Sequence, residues 1–464
     1  MPPLPRYPTV DELGARAAAL VARRPRDARL RRVGTSRAGT PLWLLSVGHG
    51  SRQALVVAGP HANEPVGGAT VLRLAERALA DPRLTEAADA TWNLLLCLDP
   101  DGSRRNEGWL TGPYTLGRYF RNFFRPGFLE QPEWLPDGAA GAALPETRAL
   151  LDVQDELRPF LQCSLHGVDV GGGFVELTHD LPGLDRRLTR IAARLGIPRE
   201  LGAYDALYWP GLGPAVYLIP PPRRAGLAAA ITEAAVESTW FHPDRHGTVT
   251  AVVEAPMWGV AAVSDGSPSA DRDAVLRSVS RALRRDTALL RQVLTRIRPH
   301  LTGVPDAARL LAPVDDYLLV CPGLADAWDP DTGDGAAHPL PPLSSAHLAA
   351  LRISGRRLAL RTAGLLHQLV RAAGRDPAGA LPELDLLIDE WCADYRDGCG
   401  ARWIPVARQA EYQARVVLSA FELARLHPRA GAPAPPAAGG VARGAARPRR
   451  VEPWTERGPG SPPA

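Results

Sequence analysis

Four runs of mostly apolar residues set the limits on what this chain can fold into: Gln53-Ala-Leu-Val-Val-Ala-Gly59, Thr91-Trp-Asn-Leu-Leu-Leu-Cys-Leu98, Leu161-Gln-Cys-Ser-Leu165 and Val249-Thr-Ala-Val-Val-Glu254. A strand with one wet face alternates polar and apolar residues. These runs do not alternate, so each is expected to be a strand buried on both faces. A helical pattern from about 66 to 79 follows the first run. Strands and helices in alternation predict an α/β fold, a mixed and mainly parallel sheet with helices on both faces. Ahead of them, 8–24 reads as an amphipathic helix whose Thr9 and Glu12 form a capping box. Two short strands around a Gly-rich turn are expected over 31–48.

The texture changes after 266. Long helical patterns span 271–301 and 344–373, and 382–426 holds one or two more; 317–321 is the one strand-like run. The chain therefore reads as an α/β domain over 1–266, an α-helical domain over 267–427 and a Pro/Ala/Arg-rich tail over 428–464. That tail has almost no large apolar residues and cannot bury enough surface to fold.

Charge narrows the partners. The 464 residues carry 54 basic and 50 acidic side chains, and since no lysine occurs, all 54 bases are arginine. A net charge of +4 gives no reason to expect nucleic acid as the partner of the whole chain. No run approaches the roughly 20 apolar residues of a membrane span, and 1–24 holds no signal-like apolar core. A cytoplasmic location is the expectation. The five scattered cysteines are expected to be buried free thiols.

In an open α/β sheet, ligands gather outside the carboxyl ends of the strands. The first buried run leads into Gly59-Pro-His-Ala-Asn-Glu-Pro-Val-Gly67, which sets His61 and Glu64 three apart in a loop entering a helix. The third run leads straight into His166 and Gly167, and the fourth ends on Glu254. Two histidines and a carboxylate make a set for a divalent ion with one position left open. A carboxylate that ends a run of Val and Ala is expensive to bury unless it is paired or used.

Further blocks fall in order along the chain: Val33-Gly34-Thr35-Ser36 with Gly39-Thr40-Pro41-Leu42, then Asp99-Pro100-Asp101-Gly102, Arg121-Asn122-Phe123 and Pro145-Glu146-Thr147-Arg148-Ala149-Leu150. With the His61 and His166 motifs and Thr250 to Pro256, they cover roughly 8–262. Taken together the chain resembles the M14, carboxypeptidase A-like, family of zinc carboxypeptidases. The resemblance implies one zinc ion held by His61, Glu64 and His166, with Glu254 as general base and proton shuttle. It implies Arg104, or its neighbour Arg105, as the cation facing the developing oxyanion. It implies Arg121 with Asn122 as the grip on a substrate's terminal carboxylate. The implied activity is removal of a C-terminal residue from a peptide.

The chain departs from the pattern at several points. Phe120 stands where the family has the first Asn of Asn-Arg-Asn, and Asn63 stands where digestive relatives carry Arg. Tyr204, Tyr208 and Tyr217 are alternatives for the family's clamp tyrosine. These departures keep two other readings open. One is an N-acyl-amino-acid deacylase of the succinylglutamate desuccinylase or aspartoacylase type, to which His61-Ala-Asn-Glu64 is also similar. The other is a non-catalytic peptide-binding module on the same scaffold. The expected partner is thus a peptide or an acyl-amino acid, with no nucleic acid and no membrane. His179, His242 and His246 are expected to be structural or solvated, and Gly171-Gly172-Gly173 a tight turn.

Overall fold

The computed structural model describes residues 5–135, 143–220, 238–332, 340–374, 376 and 379–426. The tail expected over 428–464 lies outside them. Strands β1 (Ala28–Thr35), β2 (Pro41–Val47), β3 (Arg52–Ala58), β4 (Ala90–Leu95), β5 (Leu161–Gly171), β6 (Phe174–Leu177), β7 (Gly211–Gly213), β8 (Val216–Leu218) and β9 (Val249–Gly259) form one sheet in the order β1-β2-β4-β3-β5-β9-β6-β8-β7. A short β10 (Arg402–Trp403) pairs with the end of β9. The central pairs β4/β3, β3/β5 and β5/β9 are parallel, and antiparallel pairs lie at both sides. The mixed, mainly parallel sheet expected from the apolar runs is present, and all eleven residues of β5 are buried.

Helices α1 (Val10–Arg23), α2 (Val66–Ala80), α3 (Pro100–Arg105), α4 (Leu116–Arg121), α5 (Pro145–Leu157) and α6 (Leu184–Leu195) come from the first part of the chain. The Thr9–Glu12 capping box forms at the start of α1. The later part supplies α7 (Arg272–Ile297), α8 (Ala307–Trp328), α9 (Ser345–Ala372), α10 (Ala380–Ala393) and α11 (Val406–Ala424). Residues 317–321 lie inside α8, so the strand-like reading of Tyr317 to Cys321 gives way to helix. Among the described residues, no helix is long and apolar enough to cross a membrane.

The expected boundary at 266/267 does not coincide with a break in packing. One core cluster runs through both parts, from Leu45 and Val56 on the sheet to Leu365, Val416 and Phe421 on α9 and α11. Helix α11 packs on α2 and on β9, and its Gln413 amide donates to the backbone carbonyls of His166 (2.6 Å) and Val253 (3.1 Å). Helix α9 lies so close to α4 that a Cβ on Gly364 would stand 1.9 Å from the Phe120 carbonyl oxygen, which only glycine permits. The late helices therefore form a helical region layered onto the sheet, and α11 braces the two strands that carry the site. The physical reason is burial: β5 and β9 are apolar on both faces and need a cover on each.

Four cysteines are buried and free, Cys97, Cys163, Cys321 and Cys392, while free Cys399 is half-buried.

Candidate metal centre

The site assembles where β3, β5 and β9 run side by side. Parallel pairing sets His166 on β5 opposite Glu254 on β9. The loop after β3 brings His61 and Glu64 alongside, with Glu64 accepting from the Gly167 backbone N–H at 3.1 Å. His61, Glu64 and His166 are all buried and offer donor atoms within 4.8 Å of one another. His61 Nδ1 lies 3.2 Å from Glu64 Oε1 and Oε2 and 3.2 Å from His166 Nδ1; His166 Nδ1 lies 3.2 Å from Glu64 Oε2. Donors held about 2.0 Å from one ion in a tetrahedron stand about 3.3 Å apart. The observed spacings match that geometry. Two imidazole nitrogens facing each other at this distance also need something positive between them, a proton or a metal ion.

The second nitrogens point to a residue that motif reading passed over. Glu133 Oε1 lies 3.2 Å from His166 Nε2, and Glu133 Oε2 lies 3.5 Å from His61 Nε2. Ser164 Oγ donates to Glu133 Oε1 at 2.9 Å, and the Trp240 indole N–H donates to the same oxygen. One buried carboxylate thus spans the outer edges of both histidines. Carboxylates in that position fix the ring orientation and raise the basicity of a ligating histidine. His61 Nε2, Glu133 Oε2 and Glu254 Oε2 are buried without a hydrogen-bond partner.

The electrostatics agree. Burial by itself pushes the His166 pKa down, but Glu133 and Glu64 on its two sides outweigh that and raise it well above the usual histidine value. For His61, burial and the Arg125 charge win over Glu64, and its pKa falls. Glu64 resists burial because His61 and Arg125 hold it well below the usual carboxylate range. The set attracts positive charge, and a divalent ion fits the donors and their spacing.

Glu254 stands beside this set, its Oε1 3.9 Å from His166 Nδ1. Burial pushes its pKa up to about 8; His166 opposes the rise, and Glu64 adds to it. Arg125 is the second residue that the motifs did not point to. Its Nε donates to Asn63 Oδ1 at 2.8 Å, and a terminal nitrogen pairs with Glu64 Oε1. Both Glu133 and Arg125 sit in irregular backbone between α4 and α5, where no periodicity marks a side chain as inward.

Arg104 with its alternative Arg105, Arg121 and Asn122 are not in this cluster. Arg104, at the end of α3, forms a two-point ion pair with Asp11 on α1 (2.6 and 3.1 Å). Its neighbour Arg105 pairs with Asp306 and lies over the Phe124 ring. Arg121 turns toward α10, pairing with Asp385 (2.7 Å) and Asp389 (2.8 Å). Asn122 donates to the Arg118 carbonyl at 2.8 Å, closing the end of α4. In each case a local or remote acceptor holds the side chain away from the donor set. Of the tyrosines weighed for a clamp, Tyr217 is tied by its OH to the Glu200 carbonyl, Tyr204 packs against Trp328, and Tyr208 is exposed. His242 and His246 both contact Asp155, and His179 contacts Asp244, all apart from the metal set.

No protein of curated function matches the chain. Among solved structures it is similar to carboxypeptidase A from Helicoverpa armigera, at 16% identity and a TM-score of 0.36, covering 54% of this chain and 65% of that one. It is similar to a metallo-carboxypeptidase from Burkholderia cenocepacia at 15% identity and a TM-score of 0.36, covering 57% and 63% of the two chains. It is also similar to bovine thrombin-activatable fibrinolysis inhibitor, solved with tick carboxypeptidase inhibitor, at 13% identity and a TM-score of 0.33, covering 53% and 86%. The family model described as zinc carboxypeptidase, Peptidase_M14, matches residues 15–170. The likeness to the zinc carboxypeptidase family read from the motifs therefore holds over residues 15–170, the stretch that carries His61, Glu64, Glu133 and His166.

Proposed function

We propose that this chain hydrolyses an amide bond with one zinc ion at His61, Glu64 and His166, removing the C-terminal residue of a peptide. The observation that carries this reading is the set of 3.2 Å spacings among the three donors, with the unpartnered Glu254 carboxylate beside them. When bound, zinc polarises the scissile carbonyl and makes water acidic enough to react near neutral pH. Glu254 takes a proton from the attacking water and delivers it to the leaving nitrogen, so the base of the first step is the acid of the second. Glu133 holds both imidazoles in orientation. Arg125 is the arginine in contact with the donor set, and its charge favours the negative oxygen that develops on the carbonyl.

A second reading has its own support. Arg121 and Asn122, the expected grip on a terminal carboxylate, are held elsewhere. An N-acyl-amino-acid deacylase on the same metal set, to which His61-Ala-Asn-Glu64 is also similar, handles a substrate with the same free carboxylate. The displaced Arg121 therefore bears on both readings alike, and the choice falls to the acyl side of the substrate. The two readings part in a screen of short peptides with free or amidated C-termini beside N-acyl-amino acids. Cleavage that requires a free peptide C-terminus supports the carboxypeptidase. In the same screen Glu254→Gln is expected to lose about 10²- to 10⁴-fold in kcat while keeping one zinc per chain. Wild-type turnover in that variant removes Glu254 from the mechanism, and a wild-type protein that takes up no zinc removes the reading altogether.

A further inference from the structure

Away from the strand ends, α7 and α9 pack along each other and open into a cleft of about 560 Å³, within the size range of small-molecule sites. Arg281 and Arg285 on α7 and Arg352 and Arg356 on α9 line it. Each pair is spaced i, i+4, so its two guanidiniums rise from one helix face a turn apart. Against these four cations the cleft offers two carboxylates. Asp286 takes Arg285 at 2.9 Å and Arg356 at 2.5 Å, and Asp394 takes the other end of Arg356 at 2.7 Å. Arg281 and Arg352 are exposed, and among the described residues neither is in an ion pair within 4.0 Å. Two guanidinium forks on facing helices are thus left without an ion pair, around a floor that includes Val279 and Tyr395. Arg281 feels the more distant charge of Asp331, which Arg277 takes at 2.7 Å.

We propose that this cleft binds a small anion bearing phosphate. A carboxylate has two oxygens, enough for one fork. A phosphate group presents more acceptors in a tetrahedron and can be held by forks from two helices at once. Asp286 keeps Arg285 and Arg356 in place, while Arg281 and Arg352 close on the ligand from opposite sides. The cleft shares no lining residue with the metal centre.

The test is calorimetric titration of the full-length protein with sodium pyrophosphate and, separately, with adenosine diphosphate at fixed ionic strength. Wild type is compared with Arg281→Ala/Arg352→Ala, with Arg281→Lys/Arg352→Lys, and with Arg23→Ala as a surface control. Both target side chains are exposed and without ion-pair partners, so the fold is expected to survive, checked by an unchanged Tm. Saturable 1:1 binding is expected in wild type and the control, at least tenfold weaker in the alanine variant and intermediate in the lysine variant. Tighter binding of the nucleotide than of pyrophosphate assigns the apolar floor to a base; the reverse order assigns the free anion. Absence of saturable binding, or equal affinity in the alanine variant, overturns the proposal. Anion captured at the metal centre gives that second result, because neither arginine belongs to that donor set.

Discussion

Strand β5 carries two buried charged clusters three residues apart, and they are built in opposite ways. At Asp169 every carboxylate oxygen is answered: Oδ2 takes Arg361 Nε at 2.8 Å, and Oδ1 takes the Tyr119 hydroxyl at 2.6 Å and the Asn63 amide at 3.3 Å. Arg361 comes from α9, and it and Asp169 are both buried. Burial pushes the Asp169 pKa up, but Arg361 outweighs it and the acid stays ionised. At His166 the bonding is incomplete. Like groups face each other, and buried atoms of His61, Glu133 and Glu254 have no partner. A satisfied buried network holds elements together. An unsatisfied one costs stability unless something further completes it, and the donors of His61, Glu64 and His166 are grouped as a cation would need.

Breaking the satisfied cluster gives the largest expected effect. Asp169→Ala leaves Arg361 buried and unpaired, which costs about 3–5 kcal/mol. The neighbouring change Glu254→Gln removes no hydrogen bond and is expected to cost less than about 1 kcal/mol in metal-free protein. Urea unfolding of both variants beside wild type measures the contrast. Equal losses at the two sites would dissolve the distinction between them.

A third buried acid, Asp99, sharpens the comparison because it is half satisfied. Its Oδ1 accepts from the Gly102 N–H at 2.9 Å, while its Oδ2 has no partner. Burial lifts its pKa to about 7; the Gly102 bond and Arg37 oppose the rise, and Glu146 and Asp101 add to it. An acid whose pKa is higher in the folded state than in the unfolded state holds its proton longer when folded. Its contribution is fully favourable below the unfolded pKa of about 4 and is lost as pH rises to about 7. The slope is at most about 1.4 kcal/mol per pH unit within that window. Asp99→Asn retains the oxygen that caps Gly102 and cannot ionise, so that part of the slope should vanish. Stability curves for variant and wild type that run parallel between pH 4 and 7 would show that Asp99 carries none of the dependence.

These clusters also explain how much of the molecule could be read from sequence. His61, Glu64, His166 and Glu254 were legible because apolar runs fix where buried strands lie, and parallel pairing then brings their polar residues together. The strands themselves run further than the pattern suggested. β5 and β9 continue to Gly171 and Gly259, so His166 and Glu254 sit within strands rather than at their ends. The partners of Arg104 and Arg121 were not legible, because each arginine lies in the last turn of a six-residue helix. One position around such a helix turns a side chain by about 100°, and the acids that capture them, Asp11 and Asp385, are remote in sequence. Glu133 and Arg125 occupy irregular backbone with no period at all. The helices after 266 were legible as helices, but their role as cover for β5 and β9 depends on contacts such as Gln413 to His166 that no local pattern records.

Glu133 gives the smallest effect and the closest test of what completes the unsatisfied cluster. The carboxylate faces both histidines, so it can accept from the N–H of each when their Nδ1 atoms turn to a metal. Glu133→Gln keeps the shape and the oxygen that Ser164 and Trp240 donate to, but it can serve only one imidazole and carries no charge. Outer partners of ligating histidines contribute about 10- to 100-fold in metal affinity, so chelator competition should show zinc bound that much more weakly. The metal-free variant should unfold within about 1 kcal/mol of wild type, since an unpartnered buried carboxylate oxygen is removed along with the charge. A large loss of stability with unchanged zinc affinity would make Glu133 a structural anchor like Asp169. The metal set would then consist of His61, Glu64 and His166 with no outer support.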